Sequence, residues 1–140
     1  MKKILAVLVG ATIIYTGNAL GVDRETYCLA KNVYHEARGE SWQGKMAVAI
    51  TTLNRTNHWQ FPKTICRVVY QPGQFQWTYY KNLSITDHIA WQDSLLIAHL
   101  AQELIHEFSN FPALYFHNNT VRPRWRLRRL ATIGSHTFYH

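Results

Sequence analysis

The sequence predicts a mainly α fold carrying a small β hairpin (α+β), built as one domain. Three observations predict it. Asp23, Ser41 and Asp87 each stand before a run of apolar residues at helical spacing, where a short oxygen-bearing side chain caps a helix. Two late segments, Ala113 to His117 and Ile133 to Tyr139, are short, aromatic-rich and separated by turn residues, as strands are. Once an N-terminal leader is set aside, about 120 residues remain, which suffices for a single core.

Residues 1 to 21 read as a targeting segment. Lys2 and Lys3 form a positive start, and the apolar run Ile4 to Tyr15 is too short to span a bilayer comfortably. Gly17-Asn18-Ala19 places small residues where a signal peptidase reads, so cleavage after Ala19 is expected, with a retained membrane anchor as the alternative. Residues 22 to 140 then form the working domain, exported to the periplasm or cell envelope.

Export governs how the cysteines are read. Cys28 and Cys66 are the only two, and an even pair in an oxidising compartment is expected to form a disulfide. Closing that loop stabilises by about 3 to 4 kcal/mol in the chain-entropy model. The alternative makes Cys28 a nucleophile with a histidine partner.

The first helix is expected from Asp23 to Ala37. Leu29, Val33 and Glu36 follow one another on one stripe, and Gly39 supplies the stop. Glu36 is thus a carboxylate in the last turn, on a stripe that points toward the core. The negative end of the helix and the loss of water both favour its protonated form. A carboxylic acid that keeps its proton near neutral pH is what general-acid cleavage of a glycosidic bond requires. A purely structural role, paired with Arg38, Lys31 or a backbone amide, is the competing reading.

Ser41 opens a second helix, Trp42 to Thr56, with so little polar surface that it is expected to be the buried central one. Glu40, just before it, either complements that helix N-terminus or serves as a second carboxylate near a cleft. Asn54-Arg55, at its end, is expected to bond neighbouring loops. Pro62 interrupts the following connection, and Thr64 to Tyr70 reads as a short helix or turn. Pro72-Gly73 marks a tight turn, and Gln74, Phe75, Gln76 and Trp77 after it suit a sugar, whose hydroxyls pair with amides and whose ring faces stack on aromatics. Core anchoring is the alternative for Phe75 and Trp77. The longest helix is expected from His88 to about Phe108. His99 and His106 share a side of it without a third ligand, so no metal and no cofactor are expected.

The chain has 15 Lys plus Arg against 8 Asp plus Glu, a formal charge of +7 that becomes +5 without Lys2 and Lys3. Arg122, Arg124, Arg126, Arg128 and Arg129 crowd one acid-free segment, and the first three alternate with Pro123, Trp125 and Leu127. It is either a solvated surface or a patch for an anionic envelope. No phosphate loop or nucleotide fingerprint occurs, and no nucleic-acid partner is expected.

Several blocks carry a resemblance when taken in order. They are Tyr34-His35-Glu36-Ala37-Arg38-Gly39-Glu40, Gly44 to Ala49 with Asn54-Arg55, Phe61 to Cys66, Gln71 to Trp77, and Ala113 to His117 with Ile133 to Tyr139. Together they resemble the cell-wall hydrolase family of the spore-cortex-lytic enzymes, over essentially the whole chain after residue 22. The resemblance implies a lysozyme-like single domain related to the lytic transglycosylases, with Glu36 as catalytic acid. It implies sugar contacts from Gln74, Phe75, Trp77, Tyr115 and His117, and peptidoglycan glycan strands as the substrate of a monomeric enzyme. Some family members have Gly where this chain has His35, which bears on substrate preference.

With one well-placed carboxylate, the simplest chemistry uses Glu36 twice. It acts first as acid, then as base to the muramoyl 6-hydroxyl, leaving a 1,6-anhydro end at the β-1,4 bond after N-acetylmuramic acid. Hydrolysis by water is the runner-up. A Cys28-dependent wall amidase and a non-catalytic cationic wall binder are the further alternatives.

Overall fold

The computed structural model describes residues 21 to 140. The expected targeting segment lies outside them except for Gly21. The element order is α1 (Arg24–Ala37), α2 (Trp42–Asn57), α3 (Ile65–Val69), a 3-10 turn at Gln76–Tyr79, α4 (His88–Glu103), a second 3-10 turn at Ile105–Phe108, then β1 (Tyr115–Asn118), β2 (Arg129–Ile133) and β3 (His136–Tyr139).

The three long helices start at the expected caps. Asp23 accepts from the amides of Glu25 and Thr26, Ser41 from that of Gly44, and Asp87 from that of Ala90. The apolar stripes then meet. Leu29 and Val33 of α1, Met46, Ala49, Ile50 and Leu53 of α2, and Ile97, Ala98 and Ala101 of α4 form one core. From Gly44 to Leu53 every residue of α2 is buried, which makes it the central helix. The one charge in that stretch, Lys45, reaches Asp93 on α4 at 3.3 Å.

Two elements differ from expectation. The helix expected to reach Phe108 ends at Glu103 and tightens into the 3-10 turn that follows. Three residues per turn put Ile105 and Phe108 on one side, where both pack against the core. The second difference is the sheet. It has three antiparallel strands in the order β1-β3-β2. Ile133 to Tyr139 is not one strand, because Gly134 (φ +57°) and Ser135 make a tight turn between β2 and β3. A left-handed glycine beside a polar residue is a hairpin signal. The β-favouring residues on both sides of the turn concealed it. The sheet lies on a second apolar cluster of Ala37, Ala47, Val48, Ala113 and Phe138, against the end of α1 and the first half of α2.

Candidate active site

Glu36 sits one residue before the end of α1, beyond Leu29 and Val33, which are fully buried. The ion pairs among the described residues are Lys45–Asp93 and the His136–Glu40 approach, so Glu36 is in neither. Its expected structural partners are engaged elsewhere. The Arg38 guanidinium lies 5.1 Å over the Tyr34 ring, and Lys31 Nζ donates to the Tyr70 hydroxyl at 3.1 Å. Burial pushes the Glu36 carboxyl up to about 7, and the positive charge of Arg55 works against that rise.

Arg55 is 4% exposed near the end of α2. Its Nε donates to the Leu114 carbonyl at 2.7 Å. Its guanidinium carbon lies 5.1, 5.2 and 5.8 Å from the ring centroids of Phe61, Phe75 and Tyr115. That aromatic setting suits a weakly hydrated planar cation. Nη1 is buried with no hydrogen-bond partner. Burial draws the Arg55 pKa down to about 10, so the group stays charged at neutral pH. Beside it, Asn54 Nδ2 donates to the carbonyls of Phe111 at 2.9 Å and Ala113 at 3.0 Å. The expectation that Asn54-Arg55 bonds neighbouring loops is met, and the loop is the one leading into β1.

Arg55 also lines a cleft of about 560 Å³, with Gln74, Tyr115, His117, Trp125 and Arg126 around it. Three of the five expected sugar contacts therefore meet there. Glu36 is not among the lining residues; Arg55 is the group that both lines the cleft and acts on Glu36. Phe75 and Trp77 take the core-anchor alternative instead. Phe75 is 3% exposed under the Arg55 guanidinium. Trp77 stacks on His35 at 4.5 Å and donates its indole N–H to Asn32 Oδ1 at 2.9 Å. Trp77 thus supports α1 and Phe75 the Arg55 guanidinium, and neither is among the residues that line the cleft.

His117 has a defined tautomer as a neutral ring. Its Nδ1 lies 2.8 Å from the Asn118 carbonyl, which can only accept, so Nδ1 carries the proton. Nε2, 2.9 Å away, then accepts from the Tyr139 hydroxyl. The Trp125 ring lies 5.6 Å from that of His117, 5.7 Å from Tyr139 and 6.1 Å from Tyr115, and is 43% exposed. Sequence reasoning placed neither Arg55 nor Trp125 in the site. The alternation around Trp125 was visible, whereas nothing local marks Arg55 as the cation beside Glu36.

The Glu40 carboxylate is engaged by the sheet. Oε2 accepts from the Ser135 amide at 3.1 Å, and the Ser135 hydroxyl donates to Oε1. These bonds hold its pKa below the usual carboxylate range. His136 Nδ1 approaches to 3.9 Å, but burial lowers the pKa of that ring, so at neutral pH the contact joins a carboxylate to a neutral imidazole. The fit is close: a Cβ on Gly134 would overlap Glu40 Oε2.

Cys28 of α1 and Cys66 of α3 form a disulfide, and no free cysteine remains among the described residues. Cys28 therefore has no thiol with which to act as a nucleophile. All five arginines from Arg122 to Arg129 are exposed, and none joins an ion pair among the described residues.

Residues 39–139 match the Cell Wall Hydrolase family model. The match begins three residues after Glu36. The spore cortex-lytic enzyme of Halalkalibacterium halodurans is 30% identical over 118 residues, covering 83% of this chain and 34% of that protein. That of Bacillus cereus is 30% identical over 113 residues, covering 79% and 42%. The chain thus spans less than half the length of these curated relatives. Among solved structures, the catalytic domain of the Bacillus cereus SleB protein matches with a TM-score of 0.66 and 28% identity, over 86% of this chain and 94% of that one. The catalytic domain of the germination-specific lytic transglycosylase SleB from Bacillus anthracis matches with a TM-score of 0.67 and 26% identity, over 86% and 98%.

Proposed function

Since the chain belongs to the cell wall hydrolase family, we propose that it degrades peptidoglycan by cleaving the β-1,4 bond between N-acetylmuramic acid and N-acetylglucosamine as a lytic transglycosylase. One observation carries the reading: Glu36 is a half-buried carboxyl without an ion-pair partner, held up to about 7, with the Arg55 cation acting on it.

Protonated Glu36 gives its proton to the glycosidic oxygen as the bond to the anomeric carbon breaks. The carboxylate left behind is a charge that Arg55 stabilises in a low-dielectric setting. That carboxylate then takes the proton of the muramoyl 6-hydroxyl, whose oxygen closes on the anomeric carbon. Glu36 ends protonated, the product ends in 1,6-anhydromuramic acid, and no water is consumed. The hydroxyl has the advantage of being already held in place. Glu40, the nearest acidic residue in sequence, accepts from Ser135 and is a poor candidate for a water-activating base. Gln74, Tyr115 and His117 would bind the sugars, with the exposed Trp125 ring as a stacking face. Phe75 and Trp77 would act by holding α1 and Arg55 in place.

The working unit is residues 22 to 140, exported behind the N-terminal segment and active as a monomer. Arg122, Arg124, Arg126, Arg128 and Arg129 would hold it near anionic envelope. The deciding experiment is mass analysis of fragments released from purified peptidoglycan. Anhydromuramic ends support transglycosylation. Reducing muramic ends, heavier by one water, would move the reading to a hydrolytic muramidase. Clearing activity that survives loss of Glu36 would move it to a non-catalytic cationic binder.

A further inference from the structure

We infer that the arginine-lined depression beside the cleft is a site for the carboxylates of the peptide stem carried by muramic acid. The inference rests on the peptidoglycan reading above and specifies which form of that substrate is preferred. The depression has a volume of about 570 Å³ and shares His117 with the cleft. Arg122, Arg129, Asn119, Thr132 and Thr137 line it, and no acidic residue does.

Its polar groups form a directed chain. Thr137 Oγ1 donates to Asn119 Oδ1 at 2.7 Å, and this uses its one proton. The Thr132 hydroxyl must therefore be the donor in its 3.0 Å contact with Thr137. Thr132 Oγ1 in turn accepts from Arg129 Nη2 at 2.6 Å. One guanidinium nitrogen is thereby fixed, and the remaining N–H donors of Arg129 stay available. A fixed fork of donors with no carboxylate of its own is suited to binding one bidentately. Holding it in place beforehand lowers the entropy cost of binding.

The sugar rings of peptidoglycan are uncharged, so arginines beside the cleft gain electrostatically only from what the muramic lactyl group carries: the carboxylates of an attached peptide, or the lactyl carboxylate itself once that peptide is removed. The lactyl group on each muramic sugar leads away from the strand into a peptide with free carboxylates. A sugar bound in the cleft needs an adjoining depression to receive that peptide, and this one shares a wall with it.

Two measurements test the inference. Titration calorimetry would compare an isolated stem peptide with the same peptide amidated at its carboxyl groups. We expect amidation, or Arg122→Ala with Arg129→Ala, to weaken binding about tenfold or more. Equal affinity for the two peptides overturns the site, and that comparison needs no altered protein. The second measurement is the ratio of kcat/KM on peptide-bearing strands to that on the same strands amidated at their stem carboxyl groups. We expect wild type to favour the former, and the double variant to lose about tenfold of that ratio. A double variant that slows equally on both strands also overturns the site. Failure of wild type to cleave either strand would instead sink the peptidoglycan reading, and the peptide titration would still decide whether the depression binds carboxylates.

Discussion

Glu36→Gln separates the two consequences of burying a carboxyl. Gln keeps the volume but cannot donate the proton, so activity should fall by about 10²-fold or more. Stability should move the other way. The folded-state pKa of about 7 stands above the ordinary 4.5, so between these values the folded protein binds more protons than the unfolded chain. Wild-type stability is therefore lost as pH rises from 4.5 to 7. The Gln variant should match wild type near pH 4 and exceed it at pH 8 by up to about 3 kcal/mol. Chemical denaturation at both pH values checks this, and a variant no more stable at pH 8 would show that Glu36 is not held above its ordinary value. Arg55→Gln should move the alkaline limb of the kcat/KM profile up by about 0.5 to 1 pH unit, because the charge that restrains Glu36 is gone. Arg55→Lys should keep that limb near its wild-type position; a limb unmoved in both variants would uncouple the two residues. Glu36 was legible in the sequence because a carboxylate on an apolar helical stripe contradicts its surroundings. Arg55 was not, since its relation to Glu36 exists only once α1 and α2 are packed. Phe75 and Trp77 stayed open between two roles for a similar reason, as an aromatic residue suits a sugar and a core equally well until the packing around it is known.

The strap from Glu40 to the β2–β3 turn belongs to the scale of elements. It joins the α1–α2 connection to the sheet that supplies Tyr115 and His117 to the cleft. Gly134→Ala should cost at least about 1 to 2 kcal/mol, because the added carbon meets Glu40 and the backbone is left-handed there. Glu40→Ala makes room for that carbon, so the double variant should lose less than the two single losses added together. Thermal unfolding of the four proteins measures the coupling, and strict additivity would mean that the strap is not made. The starts of the three long helices were legible to the residue, since capping side chains and apolar periodicity are local properties, whereas the end of α4 was placed five residues too far. The sheet was legible only as a tendency. Pairing in the order β1-β3-β2 is fixed by contacts distant in sequence, and the Gly134-Ser135 turn lies between two short runs that both favour strand.

At the scale of the whole molecule, the Cys28–Cys66 link ties the helix that carries Glu36 to α3. Replacing both cysteines with serine should cost about 2 to 4 kcal/mol and lower Tm by several degrees or more. Calorimetry of the double variant beside wild type, both non-reduced, would measure it, and an unchanged Tm would assign the link no part in stability. The sheet order has a consequence in time. β3, the last strand in chain order, lies between the other two, so β1 and β2 have nothing to pair with until residues 136–139 have been made. The β2–β3 hairpin can then close through its short turn within microseconds, before it captures β1. The Glu40–Ser135 bonds, spanning 95 positions, must await the same stretch of chain. A chain still emerging from the ribosome therefore carries Glu36 with no finished sheet beside it, and the proposed enzyme stays incomplete until synthesis has passed β3.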